Sequence, residues 1–155
     1  MERFHQLLLE SDRSFKTADH LAYVTYPLLK EIKLTLIISN NIFTALSKAM
    51  EAVLEYDRYY KNIYLLPEDF NSKLQVFTVK CIPRYEISPR FIDILKEMKR
   101  LAEGHKSSPI EIVRDDKYLI FSEAYRDMQT VDIEKLKGYI FELRPILDNI
   151  YKIGM

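Results

Sequence analysis

A chain of 155 residues with 48% hydrophobic content is long enough for one domain with an ordinary core, so neither metal nor disulfide staples are needed to hold it. Lys plus Arg and Asp plus Glu both number 23, which excludes a global field that would draw the protein to nucleic acid or an anionic membrane. Any attraction is local: residues 73–106 carry 8 basic and 4 acidic side chains, a net +4, while the flanking segments are slightly acidic.

Residues 2 to about 26 predict a first helix, with Phe4, Leu7, Leu8, Phe15, Ala18, Ala22 and Thr25 near one face. Pro27 is expected to bend or end it and to send the chain back. Lys33 to Ile63 is the longest stretch free of Gly and Pro, and it predicts the central helix. Its stripe runs through Ile38, Ile42, Ala45, Ala49, Ala52, Tyr56 and Tyr60, and the alanines admit a close partner backbone. Pro67, Glu68 and Asp69 mark the next helix start, continued by Phe70, Leu74, Phe77 and Cys81. The run Leu74 to Ile82 also suits a strand, but the 70/74/77/81 spacing decides for helix.

Ser88 and Pro89 open a helix that buries Ile92, Leu95, Met98 and Leu101 or Ala102 and is expected to stop at Gly104. Ser108, Pro109 and Glu111 predict a capped helical turn to about Arg114. From Lys117 to Val131 the pattern predicts two short strands around Ser122–Glu123, a hairpin that needs cover. Asp132 caps a last helix with Ile133, Leu136, Ile140, Leu143, Leu147 and Ile150 inward, kinked at Pro145. The fold class is therefore mainly α: one domain over 1–155, an antiparallel bundle of four or five helices with a small β-hairpin near 117–131.

The lone Cys81 sits among apolar neighbours, which predicts an inert buried thiol in a reducing compartment. The longest uncharged run, Leu34 to Ser47, is too short to span a bilayer, and Glu2 and Arg3 in an amphipathic pattern lead to the expectation of no secretion signal. A cytoplasmic protein is the expectation. With three glycines there is no phosphate loop, and neither paired cysteines nor His-x3-His spacing suggests a metal. Glu111, Asp115, Asp116 and Glu123 read as a solvated loop, so neither metal nor cofactor is expected.

Arg100-Leu-Ala-Glu-Gly-His105 places an arginine and a histidine with four residues between them in a mostly helical chain. This resembles the HEPN family of small helical bundles. The resemblance covers the helical architecture and this short motif. It implies RNA as partner, a homodimer, and an Arg-x4–6-His site that acts as a metal-independent ribonuclease. In that chemistry His105 is the acid/base and Arg100 contacts the phosphate. Arg13 and His20 match the spacing too and are the alternative pair. Arg58, Lys61, Lys80, Arg84 and Arg90, with Tyr59, Tyr60 and Tyr85 among them, are the residues suited to hold phosphates and stack on bases. The stretches 18–27 and 105–109 are similar to archaeal helical proteins of unassigned function. The competing reading is a non-catalytic helical protein that works by homodimerising or docking a protein partner.

Overall fold

The computed structural model describes residues 1–107, 110–114, 117–121 and 128–155, with side chains described for 1–104 and 132–155. The chain is mainly helical and forms a bundle around α3 (Leu34–Tyr59), the helix of the Lys33–Ile63 stretch. Ile38, Ile42, Ala45, Leu46, Ala49, Met50, Ala52, Val53 and Leu54 on it are buried. Tyr60, placed on the same stripe by its spacing, lies instead on the surface past the helix end.

The antiparallel partner is α1 (Glu2–His20), which packs on the alanine face. Ser11 is short, yet its hydroxyl donates to the Ala45 carbonyl at 2.7 Å, which shows how close the two backbones come. The same hydroxyl meets the Tyr151 hydroxyl at 2.8 Å, so three helices share one buried polar node. Replacing Ala49 by Leu is expected to overpack this contact and to cost about 1–3 kcal/mol in urea denaturation. Lys48→Leu should cost little, because Lys48 faces outward and pairs with Glu10 at 3.3 Å. Equal losses at the two positions would show that α1 does not seat on the alanines.

Pro27 does not end the first helix. A π-helical turn over Leu21–Thr25 leads into α2 (Tyr26–Leu29), and the rod stops only where Lys30 adopts a left-handed φ of 50°. The same device recurs in the third rod: α4 (Phe70–Val76), a π turn over Phe77–Cys81, then α5 (Ile82–Arg84) around Pro83. Proline removes a donor and its ring collides with the carbonyl four residues back. A turn widened by one residue just before it relieves that collision, as the Tyr26 N–H to Leu21 and Ile82 N–H to Phe77 bonds show. Pro67 lies outside α4, which is capped by Asp69 accepting from the Ser72 N–H at 2.9 Å.

Helix α6 runs from Arg90 to Ser107, and its backbone stays helical through Gly104 rather than stopping there. A glycine in a helix interior loses about 1 kcal/mol relative to alanine, which is too little to end a helix whose preceding turns are packed. Ile110–Arg114 is a strand, β1, not a helical turn; Ser108 and Pro109 of the expected cap lie outside the described residues. β1 pairs antiparallel with β2 (Lys117–Phe121), which pairs antiparallel with β3 (Met128–Val131). The sheet is thus larger than the expected two-stranded hairpin: β2 and β3 pair within 117–131, and β1 adds a third strand, so that the order β1-β2-β3 is a meander beside α6. Ile110, Ile112 and Val113 favour extended backbone, and pairing with a distant strand outweighs a local capping pattern.

Helix α7 (Ile133–Tyr151) is capped by Asp132, runs through Pro145, and buries the six residues expected plus Tyr139. It is clasped to α6 where Glu97 accepts from Tyr139 and pairs with Lys135. Burial alone would raise the Glu97 pKa, but Lys135 and Tyr139 outweigh it and hold the carboxyl below its ordinary 4.5. A depressed carboxyl contributes stability that is present above the unfolded value and lost as pH falls through the folded one. Stability of the wild type should therefore drop more than that of Glu97→Gln between about pH 5 and pH 3. Parallel curves would show that this clasp carries no acid sensitivity.

Candidate nucleic-acid interface

The last turn of α3 is closed by the Asn62 N–H donating to the Asp57 carbonyl at 2.8 Å and the Lys61 N–H donating to the Arg58 carbonyl at 3.0 Å. That pair of bonds is a Schellman closure, and it places Lys61 at the left-handed position, φ 61°, where glycine is usual. Lys61 therefore projects from a turn whose backbone is locked.

One turn back, the Asp57 side chain is fully buried. It accepts from the Tyr85 hydroxyl, from the Cys81 thiol at 3.3 Å and from the Asn62 amide at 3.3 Å, with the Arg84 guanidinium 3.7 Å away. A buried carboxyl group is stable only when so surrounded by donors. Burial, then Asp57, pushes the Tyr85 phenol well above its ordinary range, so it stays protonated and donates. Burial likewise raises the Cys81 thiol, with Asp57 adding to the effect, as an inert structural cysteine requires. Through these contacts Asp57 ties the end of α3 to the 60–63 turn and to α5.

An aromatic ladder leads outward from the core at this end. Buried Phe4 packs on Tyr56 at 5.0 Å, Tyr56 on Tyr60 at 4.8 Å, and Tyr60 on Tyr59 at 5.1 Å. Tyr59 and Tyr60 are more than half exposed, and Tyr64 beyond them is 92% exposed. Two depressions lie at this end. One, of about 350 Å³, is lined by Arg3, Arg58 and Tyr59 among others; the second, of about 370 Å³, includes Asn62, Tyr64, Val79 and Lys80.

Four of the five residues expected to contact nucleic acid thus meet here: Arg58, Lys61, Lys80 and Arg84. Arg58 also pairs with Glu55 at 2.8 Å. Arg90 stands apart at the start of α6, bound to Glu142 at 2.9 Å and near Asp93.

Arg100 is exposed on α6. Its neighbour Lys99 donates to Asn71 at 3.3 Å and lies over the Phe70 ring, which packs on Phe43. Phe43 precedes Asp57 by 14 residues on one helix, so this level is about 21 Å along the bundle from the tyrosine-rich end. Five positions on a continuous helix also turn Arg100 and His105 about 140° apart. The His105 side chain lies outside the described residues, as do those of the 111–123 carboxylates. Arg13 and His20, by contrast, share one face of α1 and line a common surface depression of about 450 Å³ with Lys16 and Asp12.

No family model matches this chain, and neither does a curated protein or a solved structure. The site rests on its own geometry. Among the described residues no group of histidine, cysteine and carboxylate side chains is arranged to hold a metal, and no helix is long and apolar enough to cross a membrane. Asp57, which organises the tyrosine-rich end, escapes a reading by composition because Glu-Tyr-Asp-Arg looks like a solvated face. The signal that finds it is spacing: Leu46, Met50, Val53 and Asp57 follow the apolar stripe, so an acid sits where a core residue is due.

Proposed function

We propose that the protein binds single-stranded RNA at the tyrosine-rich end of α3. The observation that carries this reading is the clustering of exposed Tyr59, Tyr60 and Tyr64 with Arg58, Lys61, Lys80 and Arg84. Aromatic faces stack on bases of any identity, and cations along the same path neutralise phosphates. Of the acids beside them, Glu55 is paired with Arg58 and Asp57 is buried.

Titrating the protein with a single-stranded RNA of mixed sequence at several salt concentrations tests this. Binding should weaken with salt, with a slope of about −0.7 per phosphate contacted, and a duplex should bind less well. Equal affinity for duplex, or no binding at low salt, would overturn the reading and leave docking of a protein partner in front.

Lys61 offers a sharper check. A side chain at a left-handed position costs roughly 1–2 kcal/mol that glycine avoids, so Lys61→Gly should stabilise the fold by about 1 kcal/mol. The same change should weaken RNA binding and flatten the salt slope by about 0.7. Stabilisation with unchanged affinity would remove Lys61 from the interface.

Metal-independent cleavage is a further part of the proposal. Because Arg100 and His105 diverge on α6, a site built on them is completed by a second protomer, which makes the proposed active form a homodimer. Arg13 and His20 form the pair that shares one face within a single chain. Cleavage measured with chelator present, in Arg100→Ala with His105→Ala and in Arg13→Ala with His20→Ala, separates the two. RNA left intact by the wild type would reduce the function to binding.

A further inference from the structure

The depression between the 62–65 turn and the third helical rod has properties of its own. Tyr64, Leu65 and Val79 are 92%, 85% and 60% exposed, an unusual concentration of bare apolar surface on one small patch. The space they border measures about 370 Å³, within the range of small-ligand pockets. Its polar lining consists of the Asn62 and Gln75 amides and the Lys80 ammonium, and no lining residue is acidic.

Resting on the RNA-binding reading above, we infer that this groove seats one unpaired base of the bound strand, stacked on Tyr64 against Leu65 and Val79, with Lys80 holding an adjacent phosphate. The chemistry of the lining matches each part of a nucleotide. Apolar and aromatic walls meet the base faces. Carboxamides carry both donors and acceptors and meet base edges of any identity. An ammonium at the rim meets the phosphate, and Lys61 and Arg84 on the neighbouring turn and helix extend the same charge along the strand.

An acidic peptide would also be drawn to Lys80; a nucleic-acid strand is favoured because the exposed cations Arg58, Lys61 and Arg84 continue the positive charge beyond the groove at the same end of the bundle. The Asn62 amide is held by Asp57 at 3.3 Å, so this wall is built before any ligand arrives. Asp57 is thereby a positioning residue for the groove.

The test uses the full chain and a single-stranded RNA carrying 4-thiouridine, with affinity and photo-crosslink position as readouts for wild type, Tyr64→Ala and Val79→Glu. Both substituted side chains are largely exposed, and circular dichroism verifies that each variant is folded. Both variants should bind more weakly, Tyr64→Ala by about 5- to 150-fold as expected for one lost stack, and wild-type crosslinks should fall within 62–65 or 75–80. Wild-type binding with undiminished affinity in both variants and crosslinks elsewhere would overturn the groove while leaving RNA binding intact. Failure of the wild type to bind any RNA overturns the broader reading and the groove with it.

Discussion

Replacing Asp57 by alanine is expected to lower folding stability by about 3–5 kcal/mol, the largest effect of any single change at the tyrosine-rich end. The carboxyl group is fully buried and accepts from Tyr85, Cys81 and Asn62, with Arg84 beside it. Alanine leaves the buried Cys81 thiol and the half-buried Tyr85 phenol without their acceptor, at about 1–3 kcal/mol for each buried group so left, while the exposed Asn62 amide turns to water. Part of the loss is recovered because Arg84 is half exposed and can turn to solvent.

Tyr85→Phe removes one donor and leaves the carboxyl with the others, so it should cost only about 1–2 kcal/mol. Chemical denaturation with an unchanged m value measures both. A loss of less than about 1 kcal/mol for Asp57→Ala would mean that the cluster does not hold the end of α3.

The double change Tyr59→Ala with Tyr60→Ala is expected to reduce single-stranded RNA affinity by about 2–6 kcal/mol, because stacking is worth about 1–3 kcal/mol per base. Both rings are more than half exposed, so the fold should survive their removal. Tyr56 remains packed on Phe4 and preserves the inner rungs of the ladder. The slope of affinity against salt should stay as it is, since no cation is touched. That separates stacking from phosphate contact: a changed slope with near wild-type affinity at low salt would show that these tyrosines merely cover the surface.

Much of the architecture was legible because it follows from periodicity. The α3 stripe, the inward faces of α1, α6 and α7, and the Asp132 cap are local matters of spacing and of which side chain can satisfy a free N–H. The places where local reading fell short are those where a distant partner decides. Pro27 is a strong helix-ending signal, yet a turn widened by one residue carries the rod past it to Leu29. Gly104 and the Ser108 cap pattern gave way in the same manner, the first to a helix already packed and the second to pairing with β2.

The sequence by itself determined a mainly helical chain with a central helix rich in alanine on one face, an inert cysteine, and cations and tyrosines concentrated around 58–90. Only the tertiary structure decided which of these meet. It carried Cys81, Arg84 and Tyr85 to Asp57 across some 24 to 28 positions of chain, gathered Lys61 and Lys80 at the same end, and left Arg90 and Arg100 elsewhere on α6. The reason is that helix period determines faces, whereas the return of the chain over 60–69 determines which end of one helix lies beside which end of the next. That return depends on burying Phe70 against Phe43 and Phe77 against Phe91, contacts between residues that no local pattern pairs.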